Sequence, residues 1–92
     1  MGRETNTVAE RLRRTRLALG YGRGKKTAFA NRIGVDKGDY TKFEQGERAL
    51  PLSAGIRIKE EFGISLDWLF CGDKAHLSTD LYDKIIQIRQ AA

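Results

Sequence analysis

Cationic side chains are the most concentrated chemistry in this sequence. Arg11, Arg13, Arg14, Arg16, Arg23, Lys25, Lys26 and Arg32 fall within residues 11–32 without one Asp or Glu among them, whereas the whole 92-residue chain carries a net charge of only +5. A block of that density is expected to attract a polyanion such as nucleic acid, the alternative being an ordinary solvated face. Acid–base and nucleophilic chemistry have no comparable footing. The one histidine, His76, and the one cysteine, Cys71, belong to no recognisable nucleophile-and-base pattern, the carboxylates are scattered along polar helix faces, and no metal-ligand spacing occurs. The sequence therefore reads as a non-enzymatic protein that needs no cofactor and no metal.

The glycine-rich segment inside the basic block, GYGRGKKT, invites a phosphate-loop reading and does not meet its requirements. Its glycine spacing is wrong, its first Lys is not followed by a hydroxyl, and it follows a helix where the motif needs a strand. The dinucleotide fingerprint fails for the same reason. Flexibility plus charge is the expected physics, with Arg23, Lys25 and Lys26 placed to reach phosphates.

The elements that must position these groups are helices. With 40% hydrophobic and 32% charged residues, the chain suits one domain with a modest core. No apolar run approaches the ~18 residues of a spanning helix. The opening MGRETN has no apolar signal region, Asn6 stands where a myristoylation site needs Ser or Thr, and a lone Cys71 cannot form an internal disulfide. A cytoplasmic location is expected. Thr7 with Glu10 forms a capping-box pattern that opens a first helix to about Leu19, with Val8, Leu12 and Leu19 on one stripe and Gly20 at its end.

From Lys26 to Phe43, two short helices are joined by a tight turn. Phe29, Ala30 and Ile33 share a face of the first, Gly34 is suited to a left-handed turn, Asp36 caps the second, and Tyr40 and Phe43 give that helix a buried side. Pro51 suits a helix start, and Leu52, Ile56 and Phe62 mark the expected buried side of a helix ending near Gly63. Ser65 can cap a short fifth helix carrying Trp68, Leu69 and Phe70. From Leu77 to about Arg89, capped by Ser78 or Thr79, a last helix carries Leu81, Ile85 and Ile88 at i, i+4, i+7, widened by Tyr82 and Ile86.

Phe29-Ala30, Ile33-Gly34, Val35, Tyr40, Phe43, Glu44 and Gly46 stand in the order of apolar, small, turn and closing acidic positions that resembles the helix-turn-helix of the phage lambda repressor and Cro type, also called xenobiotic-response-element regulators. The resemblance runs from Val8 to about Gly72 and includes the close GISLDWLFCG. It implies an all-α, five-helix lambda-repressor-like DNA-binding domain over residues 7–72, preceded by a flexible tail at 1–6 and followed at 73–92 by an additional amphipathic helix. The implied function is sequence-specific binding of double-stranded DNA by a transcriptional regulator, a repressor acting as a homodimer on an inverted repeat. No small-molecule ligand is expected.

Residue by residue, the resemblance places Lys37, Gly38, Thr41 and Lys42 at base-reading positions. Gln45 joins them on the outward face, Lys37 and Lys42 being candidate donors to guanine. Gly38 supplies no side chain there, and Asp39 brings a negative charge to that side or its edge. Arg23, Lys25, Lys26 and Arg48 are the candidate phosphate contacts. The chain departs from the family in a loop after Gly20 that is two or three residues longer, and in Lys26, which stands where the family has a backbone-clamping Gln. Glu44 is implied to form a buried ion pair with Arg16, joining the first and third helices. Trp68, Phe70, Leu81, Ile85 and Ile88 are candidates for the dimer interface. The competing functional reading is a protein-interaction module, antitoxin-like or an adaptor, that keeps the fold as scaffold and binds a partner through its C-terminal apolar stripe.

Overall fold

The computed structural model describes residues 7–88. The expected tail at 1–6 and the far end of the last helix at Arg89 lie outside them. The described chain is all helical: α1 (Val8–Ala18), α2 (Lys26–Arg32), α3 (Lys37–Gln45), α4 (Leu52–Phe62), a π-helical turn (Asp67–Cys71) and α5 (Thr79–Gln87). None of these helices is long and apolar enough to cross a membrane.

Local signals set most of the boundaries. Thr7 Oγ1 accepts from Glu10 N at 3.1 Å, Asp36 Oδ2 accepts from Gly38 N at 2.9 Å, and Ser78 Oγ accepts from Leu81 N at 3.1 Å, so each side chain satisfies one N–H that a helix start leaves free. The Glu10 carboxylate turns to Arg13 and Arg14, at 2.8 and 3.1 Å. Between α2 and α3 the chain reverses at Gly34, whose φ of +72° is the left-handed conformation that a side chain would strain. Pro51 sits one residue before α4, with its carbonyl accepting from Ala54 N and Gly55 N.

Phe29, Ala30, Ile33, Tyr40 and Phe43 are buried as their spacing requires, in one core with Leu12, Ile58, Ile64, Trp68, Leu69 and Ile85. Phe29 stacks on Phe62 at 5.1 Å and meets Tyr21 and Tyr40 edge-on. The structure corrects the expected buried side of α4. Leu52 is 60% and Ile56 38% exposed, and the helix turns Ala54, Gly55 and Ile58 inward instead. The reason lies at Gly55: a Cβ there would stand 2.6 Å from the Phe70 ring, so the ring packs where only a glycine leaves room.

The C-terminal stripe is also reassigned. Ile85 is fully buried against α1, Trp68 is 3% exposed, and Leu81 and Tyr82 pack on the same core. Trp68 Nε1 donates to Thr15 Oγ1 at 2.9 Å, and Thr15 Oγ1 donates to Arg11 O at 2.7 Å, so the indole is anchored inside the chain. Trp68 and Ile85 are therefore not surfaces for a second subunit, and Phe70 is half covered by its contact with α4. Residues 73–88 belong to the same packed body as the preceding helices.

Packing of α5 on its own chain predicts a contrast between neighbours. Ile85→Ala should cost about 2–5 kcal/mol of unfolding free energy, whereas Ile86→Ala, at a half-exposed site, should stay within about 0.5 kcal/mol. Urea denaturation of the two variants checks this, and equal small effects would mean that α5 does not pack there.

Candidate nucleic-acid interface

The outer side of α3 follows from what its inner side holds. Tyr40 and Phe43 point into the core, which leaves Lys37, Gly38, Lys42 and Gln45 exposed and Thr41 half-buried. Gly38 lies close to the α3 cap. A Cβ at that position would lie 3.1 Å from Asp36 Oδ2, inside ordinary van der Waals contact with the carboxylate that caps α3. Gly38 gives its N–H to the cap, and the exposed chemistry of this face comes from Lys37, Thr41, Lys42 and Gln45.

The loop after α1 comes beside the start of α3. Gly24, Lys26, Thr27 and Lys37 line one depression of about 210 Å³, which brings Lys26 of α2 and Lys37 of α3 to a common opening. Arg23 and Lys25, flanking Gly24, are exposed. Among the described residues, none of Arg23, Lys25, Lys26, Lys37 and Lys42 forms a salt bridge. This juxtaposition of loop and helix was not legible in the spacing, because it depends on the left-handed turns at Gly20 and Gly24. Arg48 differs from the other expected contacts, since its Nη1 donates to Asp39 Oδ1 at 3.1 Å.

The basic block itself divides. Arg23, Lys25 and Lys26 face outward, but the other five residues have partners within the chain. Arg11 Nε donates to Leu69 O at 3.1 Å, and Arg14 Nη1 donates to Ile85 O at 3.2 Å, each meeting a carbonyl near the end of a helical segment. Arg13 joins Glu10. Arg32 donates to Glu61 and to the Tyr21 hydroxyl while lying 5.0 Å over the Phe62 ring. Arg11, Arg14 and Arg16 are all at most 6% exposed. The expectation that the whole block forms one polyanion surface is therefore corrected: Arg11, Arg14 and Arg16 of α1 are internal framework.

Arg16 and Glu44 form the expected buried pair. Arg16 Nε meets Glu44 Oε2 at 2.7 Å and Arg16 Nη2 meets Glu44 Oε1 at 3.0 Å, a two-pronged contact, while Arg16 Nη1 donates to Tyr21 O at 2.6 Å. The Tyr40 hydroxyl donates to Glu44 Oε2 in the same cluster. Burial alone lowers the Arg16 pKa, but hydrogen bonding and charge from Glu44 outweigh it and raise the pKa above its ordinary value. Burial, reinforced by the Glu44 charge, raises the Tyr40 pKa well above the usual phenol range. The cluster fixes the axis of α3 against α1 and so sets which α3 side chains face solvent.

Two outcomes follow for stability. Glu44→Gln leaves the Arg16 charge without its counter-charge and should cost roughly 3–5 kcal/mol in urea unfolding, whereas stability equal to the parent would contradict the pair. Because the folded Tyr40 pKa is raised, the unfolded chain loses the Tyr40 proton first as pH rises through about 10. The Tyr40 contribution is therefore present below about pH 10 and falls above it, a loss that Tyr40→Phe should remove from the alkaline limb of stability against pH.

No family model, curated protein or solved structure matches this chain.

Proposed function

We propose that this chain is a sequence-specific double-stranded DNA-binding transcriptional regulator of the lambda repressor and Cro helix-turn-helix type, with α3 as its recognition helix. The observation that carries the reading is the exposed face of α3, where Lys37 and Lys42 form no salt bridge among the described residues and Lys37 shares an opening with Lys26 of the cationic loop. Lysine donates to guanine O6 and N7, and Gln45 can donate and accept, so this face has the chemistry of major-groove readout. The loop has the chemistry of backbone contact, which positions a protein on DNA without reading sequence. The order of α2, the Gly34 turn and α3, with the Arg16–Glu44 pair behind them, supports a lambda-repressor-like arrangement.

In this reading the protein is a repressor that works as a homodimer on an inverted repeat, with half-sites about one helical turn, roughly 34 Å, apart. Since Trp68 and Ile85 are buried, the apolar surface left for a second subunit is that of Leu52, Ile56 and Ile86, with the exposed parts of Phe70, Leu81 and Ile88. The same exposed residues favour the second reading, a module that binds another protein. Ionic strength separates the two, because phosphate contacts release counterions and apolar contacts do not.

The test is anisotropy of a labelled duplex over a salt series. Three loop contacts, extended at most by Lys37 and Lys42, should give a slope of log K against log salt of roughly −3 to −5 per bound subunit. A slope near −7 or steeper would mean that the α1 arginines also reach phosphates, and no binding even at low salt would overturn the DNA reading. Lys37→Ala and Lys42→Ala should each lose about 1–3 kcal/mol of discrimination at one base pair while leaving the fold intact.

A further inference from the structure

Arg48 lies outside α3, yet its side chain belongs to α3. Gly46 takes the left-handed conformation with φ of +76°, and the N–H groups of Glu47 and Arg48 both donate to Lys42 O, at 3.0 and 3.3 Å, so the chain folds back over the end of the helix. From there the Arg48 guanidinium reaches Asp39, in the first turn of α3, at 3.1 Å. Asp39 precedes Lys42 by one turn, at i and i+3, so the guanidinium is held at the flank of α3 next to an exposed candidate base-reading lysine.

This pair adds little to folding. Its side chains are 52% and 49% exposed, and ion pairs at such sites contribute at most about 1 kcal/mol. It is also poorly suited to a phosphate. The Asp39 carboxylate cancels the Arg48 charge and repels a DNA backbone brought against it. A base edge makes a different demand, for oriented hydrogen-bond donors more than for net charge. A guanidinium carries five N–H groups in one plane, so a carboxylate that holds one nitrogen fixes the plane while other donors remain for an acceptor pair. Guanine presents such a pair, O6 and N7, in the major groove.

Resting on the DNA-binding reading, we infer that Arg48 reads a guanine at the edge of the α3 face and that Asp39 is the positioning residue that sets its orientation. The pair extends the recognition surface beyond the helix itself. It also gives the acidic Asp39 a role on a face otherwise built from cations and amides.

Selection from a randomised duplex pool tests this with the parent, Arg48→Ala, Arg48→Lys and Asp39→Asn, all half-exposed changes whose folding is verified by circular dichroism. The parent should enrich a guanine at one position of each half-site. Arg48→Ala should lose that preference alone, with affinity for the enriched site falling roughly 5- to 150-fold and affinity for the site changed at that position falling much less. Arg48→Lys should recover it only in part, since an ammonium lacks the planar fork. Asp39→Asn should flatten the preference at the same position while overall affinity holds or rises. Uniform weakening by Arg48→Ala across all sequences would make Arg48 a phosphate contact and overturn the inference. An unchanged preference in Asp39→Asn would overturn the positioning role. A parent that enriches a site insensitive to all three variants refutes this inference alone, whereas a parent that retains no duplex refutes the DNA reading and this inference with it.

Discussion

The placement of α3 depends on one guanidinium. Arg16, on α1, grips Glu44 with two nitrogens and the carbonyl of Tyr21 with a third, so a single side chain joins α1, the following loop and α3. The Tyr40 hydroxyl meets the same carboxylate from within α3. Buried charge tolerates no loose geometry, because each group removed from water must find its compensation in a fixed place. That constraint fixes the rotation of α3, and the rotation decides that Lys37 and Lys42 face solvent while Tyr40 and Phe43 do not.

The other arginines of α1 apply the same physics to the rest of the chain. Near the ends of two separate helical elements, Arg11 donates to Leu69 O and Arg14 to Ile85 O, the latter also accepting from Ile88 N. Arg57 does likewise on α4, donating to Arg32 O at the end of α2. A helix with few apolar residues can thus stand at the centre of the fold. Burial of Arg11, Arg14 and Arg16 leaves less exposed positive charge than the count implies, while the loop at residues 23–26 and the outer side of α3 keep exposed cations.

What was legible in the sequence was local, or carried by resemblance. Gly34 and Asp36 announce a turn and a cap by their own conformational and hydrogen-bonding properties, and the 3.6-residue period placed Phe29, Tyr40 and Phe43 in the core. The Arg16–Glu44 pair came from the ordered likeness to a known motif, not from spacing. The misplaced features depend mainly on contacts distant in sequence. The carbonyls that Arg11 and Arg14 meet lie 58 and 71 residues away, so spacing alone does not divide the basic block. On α4, periodicity identified a helix but not its inner face, because Gly55 buries by admitting the Phe70 ring and has no hydrophobic side chain of its own to signal it. The apolar stripe of α5 is evident from its spacing, but whether it meets α1 or a second subunit is a tertiary question that the burial of Ile85 answers only in three dimensions.

Amide chemical-shift mapping directly tests the proposed DNA-binding surface formed by the outer side of α3 and the adjoining loop. In ¹⁵N-labelled protein titrated with a mixed-sequence duplex at low salt, the largest perturbations are predicted at residues 23–26 and 37–48, with α4 little changed at Leu52 and Ile56. Perturbations absent throughout, or centred on α4 and α5 in place of α3, would rule out this surface as the DNA contact.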